Sequence, residues 1–176
     1  GLGDVYKRQV IHNENVEFPA DKTGNIYGTD YNDVVYGSSG KDYINACGGD
    51  DILYGNDGDD RIYGGNGNNR LYGGNGKDYL SAGDGNDYLN GGTGDDTLIA
   101  GRGDDILIGG VGNDILEGDY GNDIYYWNWG DGWDSINDSA NDEGIDKLVF
   151  GEGITFDDLK FSVSHTGYDM GVTIKE

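Results

Sequence analysis

The sequence predicts an all-β chain, a coiled stack of short strands joined by glycine-rich turns. Three observations carry that prediction. Blocks of nine residues with Asp-x-apolar at positions six to eight run without a slip from Gly28 to Tyr126. Each block ends in three residues of strand character, in which position eight faces one way and positions seven and nine the other. The chain holds 35 Gly and a single Pro, and its acidic residues are nearly all Asp. That is the composition of turns, because Asp competes with helix by bonding its own backbone.

Read in order, the eleven blocks are GTDYNDVVY, GSSGKDYIN, ACGGDDILY, GNDGDDRIY, GGNGNNRLY, GGNGKDYLS, AGDGNDYLN, GGTGDDTLI, AGRGDDILI, GGVGNDILE and GDYGNDIYY. Position six holds Asp33, Asp42, Asp51, Asp60, Asn69, Asp78, Asp87, Asp96, Asp105, Asp114 and Asp123. Position eight holds Val35, Ile44, Leu53, Ile62, Leu71, Leu80, Leu89, Leu98, Leu107, Leu116 and Tyr125. Glycine at positions one, four and often two allows the positive φ of a tight turn. One inward aliphatic per nine residues makes no core alone. Two blocks per coil would stack these side chains into a thin column between two parallel sheets, and the strands gain ladder bonds only by stacking.

At 176 residues the chain is the length of about one domain. Its net charge of -23 would repel nucleic acid and anionic membranes. With 35% hydrophobic residues it has the arithmetic of a disordered chain. The 14 Tyr, 3 Trp and regular Leu and Ile argue otherwise, provided something neutralises the charge. A multivalent cation is the economical candidate. Cys47 is alone and forms no internal disulfide, and no apolar run reaches the length of a membrane span.

Eleven units in one register resemble the repeats-in-toxin, or haemolysin-type calcium-binding, nonapeptide GGxGxDxUx, with U a large aliphatic residue. The resemblance covers residues 28–126. It implies a parallel β-roll, a right-handed β-helix-like solenoid, and export by the type I secretion route to an extracellular location.

In such a roll the turns of blocks n and n+2 lie one above another, so the position-six residues form two rows spaced about 4.8 Å. Bare carboxylates at that spacing repel, and a hard cation between them reverses the sign. Ca²⁺ takes 6–8 oxygens with lenient geometry, whereas Mg²⁺ demands an octahedron and zinc wants His or Cys. His12, His165 and Cys47 are not clustered. The candidate ligands are the eleven position-six residues from Asp33 to Asp123 together with Asp134, and the gap count predicts six to eight Ca²⁺ ions. Asn69 should weaken the gaps beside it, and Tyr31 at position four should spoil the first turn. Calcium bound to the folded state alone predicts a chain that is unfolded without the ion and rolled with it.

Outside the repeats, Asp4–Gln9 (DVYKRQ) resemble a translated transposase mosaic end used in sequencing-library preparation, so residues 1–9 are set aside and the chain is read as a fragment. Residues 10–27 read as a degenerate first coil, with Ile26 and Tyr27 at positions eight and nine. After Tyr126 the register slips by two and resumes with Asp134 and Ile136, then with Asp146 and Leu148. Residues 127–176, which resemble the segment that follows such repeats, are expected to cap the open roll and to be truncated. Thr155 and Asp158 suggest a capped helical turn, and Leu159–Ser164 with Gly171–Lys175 a hairpin. Trp127, Trp129, Trp133, Phe150, Phe156 and Phe161 are the candidate covering aromatics.

On the outer faces, Tyr36, Tyr54 and Tyr72 at position nine and Tyr43 and Tyr79 at position seven are expected to stack in ladders. Their alternative use is a stripe for a glycan or a cell-surface partner, as in an adhesin. No HExxH or GxSxG is present, so the chain is read as non-catalytic, with a hydrolase domain upstream as a further alternative.

Overall fold

Three-residue β-segments interrupted by glycine turns can satisfy their backbone only by pairing with the next coil, and that is the arrangement the chain takes. The computed structural model describes residues 15–17, 24–137, 144–155, 157, 159–163 and 170–174. In chain order the strands are β1 (Asn15–Glu17), β2 (Asn25–Tyr27), β3 (Val34–Tyr36), β4 (Tyr43–Asn45), β5 (Ile52–Asp57), β6 (Arg61–Asn66), β7 (Arg70–Asn75), β8 (Tyr79–Asp84) and β9 (Tyr88–Thr93). They continue as β10 (Thr97–Arg102), β11 (Ile106–Val111), β12 (Ile115–Tyr120), β13 (Ile124–Trp127), β14 (Ser135–Asn137), β15 (Lys147–Phe150), β16 (Leu159–Val163) and β17 (Met170–Ile174).

The odd strands from β1 to β15 form one parallel sheet and the even strands from β2 to β14 the other, each in sequence order. Successive blocks therefore alternate between sheets, and each strand pairs with the one eighteen residues on. Leu53 aligns with Leu71 and Leu71 with Leu89 in one sheet, Ile62 with Leu80 and Leu80 with Leu98 in the other. This is a parallel β-roll. Every position-eight side chain from Val35 to Tyr125 is buried between the sheets, none more than 2% exposed. Tyr125 ends the block series, and its hydroxyl accepts a hydrogen bond from the Gly118 N–H at 2.9 Å.

The strands of β5–β12 are twice as long as the three residues expected, because positions one to three remain in the ladder. Position two carries a positive φ, for example +115° at Gly74, Gly83 and Gly101, which bends the chain without breaking its pairing with the coils on either side. The tight turn proper is positions four to six, with a second positive φ at position four.

The roll extends past the regular blocks at both ends. Ile26 is buried opposite Ile44, and β1 pairs with β3 so that Val16 aligns with Val35. Beyond the two-residue slip, Ile136 aligns with Leu116 and Leu148 with Tyr125, as the resumed register requires. Ile136, at the edge strand of its sheet, is nevertheless 38% exposed. Strands β16 and β17 pair antiparallel, Leu159 opposite Ile174. Trp127 is buried and packs at a tilt on Phe150, ring centroids 6.0 Å apart, whereas Trp129 and Trp133 are exposed. The adaptor-like residues 1–9, the side chains of Phe156 and Phe161, and Asp158 of the expected helical turn lie outside the described residues.

Among the tyrosines, Tyr36, Tyr54 and Tyr72 stack almost parallel, centroids 4.9 Å apart and tilted by 4° and 9°. The other face differs from the expected straight ladder. Tyr63 at position nine inserts between Tyr43 and Tyr79, giving a zigzag that begins at Tyr27.

Candidate metal centre

The turn at positions four to six of each block sets the direction of the position-six side chain, and stacking then builds two rows of side chains. One row is Asp33, Asp51, Asn69, Asp87, Asp105, Asp123 and Asp146; the other is Asp42, Asp60, Asp78, Asp96, Asp114 and Asp134. All twelve residues predicted as ligands fall in these rows. Asp146, whose register is visible in the sequence, is an addition. The eleven block residues are buried.

Within each row one oxygen is spoken for. Asp60 N–H donates to Oδ1 of Asp78 at 2.8 Å, Asp78 N–H to Oδ1 of Asp96 at 2.8 Å, and Asp96 N–H to Oδ1 of Asp114 at 2.8 Å. The other oxygen is not. Oδ2 of Asp51, Asp60, Asp78, Asp87, Asp96, Asp105 and Asp114 is buried with no hydrogen-bond partner among the described residues, and so is Oδ1 of Asp33. An ionised carboxylate in that condition is among the costlier things a protein can bury. Burial accordingly pushes Asp51, Asp60, Asp96, Asp105 and Asp134 up to about 7, and Asp78, Asp87 and Asp114 up to about 6. Nearby carboxylates add to the rise and the backbone donors oppose it.

In the blocks that begin with glycine, position one leaves room for these oxygens; Ala46, Ala82 and Ala100 stand there in the blocks of Asp51, Asp87 and Asp105. A Cβ on Gly55, Gly73 or Gly91 would meet Oδ2 of Asp60, Asp78 or Asp96. At Gly64 the atom in the corresponding place is Nδ2 of Asn69, which donates to the Gly67 carbonyl at 3.0 Å. The amide thus shows which backbone oxygen lies within reach. In an Asp turn the same place holds a carboxylate oxygen, and two oxygens facing each other there call for a proton or a cation between them.

Two turns are exceptions. Ser38 donates to Oδ2 of Asp42 through both N–H (2.6 Å) and Oγ (2.8 Å), and Thr29 does the same to Oδ2 of Asp33 at 2.7 and 3.0 Å.

Position five forms a second pair of rows that the sequence pattern did not announce, although Asn, Asp or Lys occupies it in every block. Its hydrogen bonds run the opposite way along the roll. Asn68 N–H donates to Oδ1 of Asp50 at 2.8 Å, and Asn122 N–H to Oδ1 of Asp104 at 2.9 Å. Hydrogen bonds from Asn122 hold the Asp104 carboxyl below the usual range, as those from Asn113 do for Asp95. No two acids are neighbours here: the rows read Asn32, Asp50, Asn68, Asn86, Asp104, Asn122 and Lys41, Asp59, Lys77, Asp95, Asn113. Exposed carboxylates are kept apart, whereas buried ones at position six are placed side by side.

Among the described residues no three His, Cys, Asp or Glu side chains converge on one point. The available donor set is therefore one carboxylate oxygen per turn with backbone carbonyls, all hard oxygens, which suits Ca²⁺ and gives zinc nothing to hold. A roll whose turns carry rows of buried, unpartnered carboxylate oxygens beside peptide carbonyls defines a cation-binding solenoid. The family model of the RTX calcium-binding nonapeptide repeat matches residues 23–53, 48–80, 63–98, 72–107, 81–116 and 99–133, more than half of the chain. The chain belongs to that family. No curated relative matches it.

Proposed function

We propose that the chain is a calcium-binding repeat module of a secreted protein, exported unfolded by the type I route and folded by calcium once outside. The observation that carries this reading is the line of buried Oδ2 atoms, from Asp51 to Asp114, that have no partner among the described residues. The position-six aspartates and the turn carbonyls would hold the ions. Bound calcium supplies the positive charge that lets adjacent carboxylates remain ionised and buried. Asp42, Asp60, Asp78, Asp96, Asp114 and Asp134 follow one another unbroken, an order the exposed rows avoid. The protein's part is to aim the carboxylates through their Oδ1 hydrogen bonds.

Sites of the extracellular class, with Kd about 10⁻⁴–10⁻³ M, would be empty in cytosol and filled outside. Each ion at a hundredfold excess over Kd adds about 2.7 kcal/mol to the folded state. Several such terms outweigh the charge repulsion that a core one aliphatic residue wide cannot offset alone. Residues 127–176 would close the end of the column. The glycan reading has weaker support, because sugar platforms need open ring faces and both faces of Tyr54 are covered by Tyr36 and Tyr72.

The test is native mass spectrometry across a calcium titration. Six to eight ions are expected, with magnesium failing to substitute. No ions retained would reject the reading.

A further inference from the structure

The position-two residue divides the turns into two kinds. In blocks three to eleven it has a positive φ, including the non-glycine residues Cys47 (77°), Asn56 (76°) and Asp119 (70°). In each of blocks three to ten that carries Asp at position six, Oδ2 is left without a partner. Thr29 and Ser38 are not in that conformation. There the position-two N–H points inward to the carboxylate, and the hydroxyl adds a second donor to the same oxygen. The β-branched Thr29 resists a positive φ. Ser38 ties its own turn together, its Oγ also accepting from Gly40 N–H at 3.2 Å.

Block two isolates the cause. It has the consensus glycine at positions one and four, Gly37 and Gly40, and an Asp at six, and departs from the motif at position two. Gly40 nevertheless lacks the positive φ that position four has in every later block. The whole turn has followed Ser38.

We propose that Thr29 and Ser38 take the place of a calcium ion, so that the first turn of each row is closed by protein donors and the N-terminal coil is the calcium-independent end of the roll. This rests on the calcium-binding reading above. A hydroxyl residue outside the positive-φ conformation at position two caps the carboxylate twice; a positive φ there, at glycine, Cys47 or Asn56, leaves it to a metal. Asp42, whose Oδ1 also accepts from Gly24 N–H at 2.8 Å, would thus anchor its row without an ion, and Asp33 would have its Oδ2 closed in the same way, with Oδ1 left unpartnered among the described residues.

The experiment compares the ion count at saturating calcium, by native mass spectrometry, for the unaltered chain, the double variant Thr29→Gly/Ser38→Gly and the double variant Thr29→Ala/Ser38→Ala, with folding followed by far-UV circular dichroism. Glycine should release the turns into the positive-φ form, adding two ions and moving the folding midpoint to higher calcium. Alanine keeps the inward N–H and resists positive φ, so its count should equal that of the unaltered chain. A glycine variant that folds with an unchanged count would overturn the inference, because the end of the stack rather than the residue would then set the turn. Ion binding lost on alanine substitution would overturn it too. An unaltered chain that binds no calcium would instead reject the underlying reading.

Discussion

The N–H of Asp96 donates to Oδ1 of Asp114 across 2.8 Å, and Oδ2 of each is buried without a partner. One oxygen is fixed by the neighbouring coil so that the other is held where no side chain neutralises it. The calcium dependence proposed for the fold rests on that division, and it has consequences that can be measured.

Acidity should substitute for calcium. The ordinary carboxyl value is 3.8, and burial raises it to about 6 or 7 at eight of the row residues. The folded state therefore binds more protons than the unfolded one between these values. Its stability is complete below the unfolded pKa and is lost as pH rises through 6 to 7. In chelator, the β-sheet signal should be present at about pH 5 and absent at about pH 7.5. Equal structure at both values would show that the carboxylates are not what opposes folding.

Asn69→Asp should restore an unbroken row. The amide of Asn69 satisfies the Gly67 carbonyl, and aspartate in its place would expose two oxygens to each other. The variant should bind one more ion and need more calcium to fold at neutral pH. Isothermal titration calorimetry beside circular dichroism reads both, and an unchanged count would mean that Asn69 already sits beside an ion.

Leu80→Ala tests the column. Leu80 is fully buried between Ile62 and Leu98, and the narrow core offers little to refill the space. The expected loss is about 2–5 kcal/mol in urea unfolding at saturating calcium, with the ion count retained.

Gly94→Ala should fail more completely. Gly94 has φ +129°, and a Cβ there would strike the Gly76 carbonyl of the coil below. A side chain at that point blocks stacking itself, so calcium should induce little β structure. Tyr54→Ala, by contrast, removes two stacking contacts worth about 0.5–1.5 kcal/mol each and should leave the ion count unchanged.

Strict nonapeptide register makes the inward column and both aspartate rows legible in the sequence, down to Asp134 and Asp146 beyond the two-residue slip. The pattern Asp-x-apolar survives even where glycine is lost, and that is why it carries so far. Strand length is not legible, because position two both bends the chain and stays in the ladder, a combination glycine makes possible and composition does not announce. The position-five rows escape because their order, acid next to amide or lysine, shows only when residues eighteen apart are read together. Tyr63 joins the zigzag through a diagonal neighbour rather than an eighteen-residue one. The self-capped turns at Thr29 and Ser38 turn on the φ of one residue.

The most direct measurement is a calcium titration from chelator to about 10 mM, with magnesium in parallel, followed by far-UV circular dichroism at neutral pH. A cooperative transition from coil to β structure in calcium, absent in magnesium, is the predicted result. Full β structure already present in chelator would contradict the account, since the unpartnered aspartate oxygens would then be tolerated without an ion.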